Sequence, residues 1–184
     1  MTVTPAFIKG VCVIEPTVHG DQRGYLFRAF CRPTLHEAGF SLGEIVQSNI
    51  SFSHQAGTFR GFHYQLPPHA EEKVVTCLQG EILDYVVDLR KGSSTFLKNY
   101  SVVLSEQNRR SILIPRGCAH GFITLQPDCQ LMYLHTAAYQ PAFERGVNLN
   151  EPRLGIALPR PVAEMSERDR QHALLAHDFD GIEL

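Results

Sequence analysis

Short apolar runs recur between turn-forming residues through most of the chain, at positions 11–14, 45–50, 58–64, 73–78, 81–89, 100–104, 111–115, 121–125 and 131–136. Runs this short and this frequent predict β-strands stacked as a sandwich or barrel, because helices need longer stretches with a 3.6-residue period. Gly80, within Leu78-Gln79-Gly80-Glu81, can take positive φ and predicts a hairpin between the runs on either side of it. Lys91-Gly92-Ser93-Ser94 marks another turn. Helix is expected only at 33–38, as a turn near 105–109, and at 167–175. Residues 140–161 are rich in proline and lack a sustained period, which predicts a long connection over the surface. No repeat or low-complexity stretch interrupts this pattern.

Two polar-tipped segments break the apolar runs. One is Gly57-Thr58-Phe59-Arg60-Gly61-Phe62-His63-Tyr64-Gln65; the other is Pro115-Arg116-Gly117-Cys118-Ala119-His120-Gly121-Phe122. Alternate side chains of a strand share a face, so regular pairing groups Phe59, Gly61, His63 and Gln65 against Arg60, Phe62 and Tyr64. A His63 face turned into a barrel sets a base inside an apolar cup.

At 184 residues and 20.7 kDa the chain suits one domain, residues 1–184. Its net charge of −2 argues against nucleic acid as a bulk electrostatic partner. No stretch approaches the roughly 18 apolar residues of a membrane span, and no basic region with a following apolar run opens the chain, so a cytoplasmic protein is expected. The five cysteines, Cys12, Cys31, Cys77, Cys118 and Cys129, form no CxxC pair and read as reduced, mostly buried residues. Cys118, two positions before His120, is the one to consider as a reactive thiol.

Gly57-x5-His63 and Pro115-x-Gly117-x-x-His120 resemble the paired half-motifs of cupin jelly-roll barrels. A metal-binding cupin has His-x-His with a Glu following; here the pattern is His63-x-Gln65, and glutamine is a poor transition-metal ligand. No metal and no cofactor are expected, and proton transfer is the natural use of the histidines. Read together, the motifs Gly20-Asp21-Gln22-Arg23-Gly24, Gln47-Ser48-Asn49, Arg60-Gly61-Phe62-His63-Tyr64-Gln65, Lys73, Val87-Asp88-Leu89-Arg90, Pro115 to Phe122, Tyr133, Glu144-Arg145-Gly146 and Ser166-Glu167-Arg168-Asp169 follow the order and spacing of one family. From about residue 7 to 175 the chain resembles the dTDP-4-dehydrorhamnose 3,5-epimerases, which convert dTDP-4-keto-6-deoxyglucose to dTDP-4-keto-rhamnose without metal.

A carbon-bound proton beside a ketone is removed only if a base reaches it and the enolate oxygen is stabilised. His63 suits the base, as imidazole is partly neutral at working pH. The resemblance implies Asp169 as its acidic partner, Lys73 with His120 against the enolate charge, and Tyr133 as the opposing proton donor. It further implies Arg23, Arg60 and Arg168 on the diphosphate, Gln47 and Asn49 as neutral hydrogen-bonding groups, Tyr139 stacked on the nucleobase, and Glu144 in the substrate region. Each has a plainer reading: Asp169 as the N3 residue of a capping box begun by Ser166, His120 as a partner for a strand carbonyl, Tyr133 as a buried strand residue, Arg23 as a brace for the Asp21 turn. The other histidines, including His69, His135 and His172, are expected on surface or loop segments.

The chain departs from the family where Arg-Gly-x-Phe-Phe-Glu reads Arg23-Gly24-Tyr25-Leu26-Phe27-Arg28. The family implies a homodimer in which residues 23–28 reach the neighbouring site and touch the base. Arginine donates only, which suits cytosine acceptors and raises a CDP-4-keto-3,6-dideoxyhexose 5-epimerase as the nearest rival. Residues after Tyr133 also differ, which bears on whether C3 and C5 or one carbon alone is inverted. A metal-dependent cupin enzyme and a noncatalytic sugar-binding cupin are the other readings.

Overall fold

The computed structural model describes residues 1–184. In chain order its elements are β1 (Thr2–Pro5), β2 (Cys12–Glu15), β3 (Val18–Asp21), β4 (Gly24–Phe27), α1 (Arg32–Glu37), β5 (Gln47–Ser53), β6 (Thr58–Gln65), β7 (Lys73–Gln79), β8 (Glu81–Asp88), β9 (Asn99–Ser105), β10 (Ser111–Ile114), β11 (Cys118–Thr124), β12 (Cys129–His135), β13 (Glu144–Gly146), β14 (Glu164–Met165) and α2 (Glu167–Arg170). One sheet runs β1-β2-β10-β7-β12-β5 and the facing sheet β13-β6-β11-β8-β9, with β14 added in parallel on β6. The architecture is the expected mainly-β jelly roll.

Apolar side chains from both sheets meet between them: Val75, Cys77, Ile112 and Leu131 from the first, Ile82, Val86, Leu104, Cys118 and Phe122 from the second. Polar residues continue the same rows. Cross-strand partners Cys77 and Leu131, Val75 and Tyr133, Lys73 and His135 lie side by side, so the interior grades from an apolar end to a polar one. The second sheet is covered on its outer face as well, where Phe59, Phe62, Tyr85 and Ile123 pack on Val147, Leu154 and Ile182. That double burial explains why β11 is buried at every position. Helix α1 covers the other sheet through Leu35.

Three expectations are corrected here. Gly80 has φ +75°, yet β7 and β8 do not pair; the chain crosses there from one sheet to the other, and Cys129 fills the space a Cβ would take. The 140–161 segment is not a surface connection, because it contributes β13 and buries Val147, Glu151 and Leu154. The last helix stops at Arg170 and does not reach 175. Beyond it Asn148 donates its side-chain amide to the His172 carbonyl at 2.7 Å, and the Leu175 N–H donates to Glu151 Oε2 at 2.8 Å. Side chains of the 148–151 segment thus take backbone groups that helix would otherwise pair.

Candidate active site

The strand pairing between β6 and β11 sets the site. His63 lies opposite His120 and Arg60 opposite Phe122, so three residues of β6 span two of β11. The surplus residue is Gly61, whose φ is +135° and whose added Cβ would meet Gly121 Cα at 2.5 Å. Such a bulge reverses the parity of alternation. Arg60, His63 and Gln65 therefore face inward together, while Phe59, Phe62 and Tyr64 pack outward, a correction to the grouping that regular alternation predicts.

A cavity of about 1080 Å³ opens between the sheets at the polar end. His63, Arg60, His120 and Asp169 line it from the second sheet and its flanking helix; Lys73, Tyr133, Gln47 and Asn49 line it from the first, with Tyr139, Glu144 and Arg168 at the mouth.

His63 Nε2 is 2.7 Å from Asp169 Oδ1. The other carboxylate oxygen accepts from the Gly61 N–H at 3.2 Å, a donor the bulge releases from the ladder. Asp169 is only 3% exposed, and burial works against its charge. The His63 hydrogen bond and charge, the Gly61 donor and Arg168 outweigh that, holding the carboxyl at about 2. The capping reading is also met, by different atoms: Ser166 Oγ accepts from the Asp169 backbone N–H at 3.1 Å and leaves its carboxylate free to turn inward.

On the facing sheet, Lys73 Nζ pairs with Glu71 Oε1 at 2.8 Å, and His135 Nδ1 lies 3.0 Å from Glu71 Oε2. Burial opposes the Glu71 charge, but Lys73 and His135 hold its carboxyl at about 2. His120 Nε2 meets Asp84 Oδ2 at 2.7 Å and no strand carbonyl. Asp84 is wholly buried, which pushes its carboxyl up against the opposing pull of His120. The Tyr133 hydroxyl is 3.3 Å from Ser51 Oγ, and burial pushes its pKa upward. A phenol so placed keeps its proton until it is drawn away, which suits a donor.

At the mouth, Arg168 pairs with Glu144 at 3.0 Å, and the Tyr139 hydroxyl donates to Glu144 at 2.7 Å. The Tyr139 backbone N–H donates to Gln47 Oε1, and Gln47 Nε2 donates to Asn49 Oδ1 at 3.2 Å. Arg60 is held by Ser53 Oγ and the Phe52 carbonyl. Arg23 and Arg28 do not join this chain's cavity. Arg23, with its side chain 89% exposed, braces the Asp21 turn, and Arg28 approaches Cys31 Sγ at 3.7 Å.

Glu71, Asp84, Ser51, His135 and His172 were not foreseen. His135 and His172, expected at the surface, lie inside: His135 is buried, and the His172 side chain is 14% exposed beside His63. Position alone carried a signal for His135, two residues from Tyr133 and so on its face of the strand. His69 packs on Phe143, with ring centroids 4.5 Å apart. Cys118 is buried, and burial pushes its thiol to about 12, which removes it as a nucleophile. His63, Asp169 and His172 bring three potential ligand atoms within 4.8 Å of one another.

The family description dTDP-4-dehydrorhamnose 3,5-epimerase matches residues 5–177. A dTDP-4-dehydrorhamnose 3,5-epimerase of Shigella flexneri is 38% identical over 169 residues, covering 92% of this chain and 93% of that protein. The crystal structure of a Bacillus anthracis dTDP-4-dehydrorhamnose 3,5-epimerase with TDP and pyrophosphate bound superposes with a TM-score of 0.89 at 37% identity, over 95% of this chain and 99% of the other. A 3'-monoepimerase from Streptomyces bikiniensis in complex with dTDP-quinovose gives a TM-score of 0.84 at 34% identity, over 93% and 86% of the two chains. A sequence match over nearly the whole length, on a barrel whose cavity holds a histidine–aspartate pair facing a partly buried tyrosine, leads to one conclusion: the chain belongs to the dTDP-4-dehydrorhamnose 3,5-epimerase family.

Proposed function

We propose that this isomerase inverts C5 and C3 of dTDP-4-keto-6-deoxyglucose to give dTDP-4-keto-rhamnose. Both carbons flank the C4 ketone, so one arrangement for stabilising the enolate serves both. His63 takes the carbon-bound proton, and the electron pair moves onto O4, where the Lys73 ammonium and His120 offset the charge. Asp169 stabilises the imidazolium. Tyr133 then delivers a proton to the opposite face, and its own proton is restored from solvent. The observation that carries this reading is that the His63–Asp169 pair and Tyr133 stand on opposite sheets of one cavity. A base and an acid on two sides of a ring are what inversion requires.

Arg60 and Arg168 supply forked donors for the diphosphate, Gln47 and Asn49 neutral hydrogen bonds, and Tyr139 a stacking face for the base. Glu144 positions Arg168 and Tyr139. Arg23 and Arg28 enter through a homodimer: the β3–β4 hairpin stands off both main sheets and carries exposed Tyr25 and Leu26, a shape suited to reaching a neighbouring copy's cavity. Residues 1–184 act as a single domain in this reading. Five unpaired cysteines fit a reducing cytoplasm; no helix is long and apolar enough to cross a membrane.

Deuterium wash-in from heavy water tests the reaction. Label is expected at both C3 and C5 of the 4-keto sugar nucleotide. Absence of label at both carbons, with substrate bound, would sink the epimerase assignment; label at one carbon identifies a monoepimerase. Arg28 favours one rival, since its donors match cytosine acceptors. Calorimetry with dTDP and CDP separates the two: tighter dTDP binding is expected, and a preference for CDP moves the assignment to a CDP-4-keto-3,6-dideoxyhexose 5-epimerase.

A further inference from the structure

The proposed reaction gives His172 no task. Its ring meets that of His63 edge to face with centroids 5.6 Å apart. Its Nε2 lies 3.5 Å from Asp169 Oδ1, the same oxygen that His63 Nε2 approaches at 2.7 Å. That His172 nitrogen is buried and has no hydrogen-bond partner, although buried polar atoms are ordinarily paired.

Two imidazoles and one carboxylate, with their ligand atoms within 4.8 Å of one another, are a ligand set. Around a transition-metal ion with nitrogen and oxygen ligands at about 2.0–2.2 Å, neighbouring ligand atoms stand roughly 3–3.5 Å apart. The two separations to Asp169 Oδ1, 2.7 and 3.5 Å, bracket that spacing, and all three ligand atoms lie within 4.8 Å of one another. The Gly61 N–H fixes Asp169 Oδ2 and leaves Oδ1 turned toward the rings, the outer support that a ligating carboxylate needs. The cavity lined by His63 and Asp169 supplies room for water on their side of the cluster.

We propose that His63, Asp169 and His172 form a two-histidine, one-carboxylate site for a divalent transition-metal ion such as zinc, and that metal bound there inhibits the enzyme. Imidazole ligands select zinc-like ions over magnesium or calcium. Metal on His63 Nε2 displaces its hydrogen bond to Asp169 and removes His63 from proton transfer; this inhibitory consequence rests on the reading of His63 as base, whereas the site itself does not. Arg168 opposes binding, with Nη2 3.3 Å from His63 Nε2. Its side chain is half exposed and already paired with Glu144, which offers it a place on the rim when metal enters.

Calorimetric titration of the full chain, stripped with chelator and free of nucleotide, with zinc chloride tests the site directly. One stoichiometric micromolar site is expected, weakened at least tenfold in His172→Gln and in His63→Gln. No such binding by the unaltered chain, or equal affinity in His172→Gln, overturns the proposal. Cobalt(II) gives a second measurement that needs no variant: visible absorption bands appear on binding and vanish with one equivalent of zinc, and a protein that gives no bands counts against the site. In turnover assays, zinc inhibits the unaltered enzyme, chelator reverses it, and His172→Gln needs at least tenfold more zinc. Full turnover with zinc bound overturns the inhibition. Zinc binding in a protein without any epimerase activity would remove the reaction and leave the site standing.

Discussion

Asp169 carries a charge that burial alone would not allow, and the groups that permit it are His63, Gly61 and Arg168. Its folded-state pKa of about 2 lies below the usual aspartate value near 3.9. A depressed carboxylate contributes stability that is present above the unfolded pKa and is lost as pH falls through the folded one. Asp169→Asn is therefore expected to destabilise the protein by on the order of 2 kcal/mol at neutral pH, with the difference vanishing between about pH 4 and pH 2. Urea unfolding of both proteins across that range measures it, and a constant difference would assign the loss to packing. Tyr133 makes a separate prediction. Because the proposed reaction needs its proton only in the second half, Tyr133→Phe should still exchange label into substrate but slow inversion at least a hundredfold. Parallel loss of both would place Tyr133 before the enolate.

At the scale of elements, the bulge in β6 decides which side chains meet. Gly61 supplies it, through a backbone angle that L-residues with a Cβ rarely adopt and a contact with Gly121 that leaves no room for a methyl group. Gly61→Ala should lower stability by more than about 1 kcal/mol and abolish turnover, since closing the bulge rotates either Arg60 or His63 out of the cavity. Denaturation and kinetics together check this; a variant with native stability and turnover would mean that the bulge is not needed. The nine apolar runs that marked β-strands in the sequence correspond to strands here, because burial writes itself into composition. The four-residue strands β1, β3 and β4 and the shorter β13 and β14 carried no run long enough to see. The Gly80 turn misled for a related reason: positive φ reverses the chain, but whether the next strand pairs with the last or joins the other sheet depends on partners distant in sequence. A glycine inside the apolar 58–64 run was the one visible hint of the bulge.

For the whole molecule, the site as it stands in one chain lacks Arg23 and Arg28. The hairpin bearing them exposes Tyr25 and Leu26, the latter 74% exposed, while edge strand β5 exposes Ile50 and Phe52 beside the cavity. A second copy would cover such surfaces. Sedimentation is expected to give a dimer, and Leu26→Glu to shift it toward monomer while weakening dTDP binding at least tenfold; a monomer with full affinity would remove the hairpin from the site. The sequence by itself determined the strand-rich class, the family, and most of the cavity's residue types, because alternation, turn chemistry and motif spacing are local and survive in a linear chain. It also pointed to His63, Lys73, Tyr133 and Asp169, which depend on register with a known pattern. Only the tertiary structure decided that Arg60 shares the face of His63, that Glu71 and Asp84 meet Lys73 and His120, and that His172 stands against His63. Those facts arise from a bulge and from contacts between segments distant in sequence, 106 residues apart for His63 and Asp169. Which distant polar groups share one low-dielectric cavity is settled by how two sheets close on each other, and no local pattern encodes that.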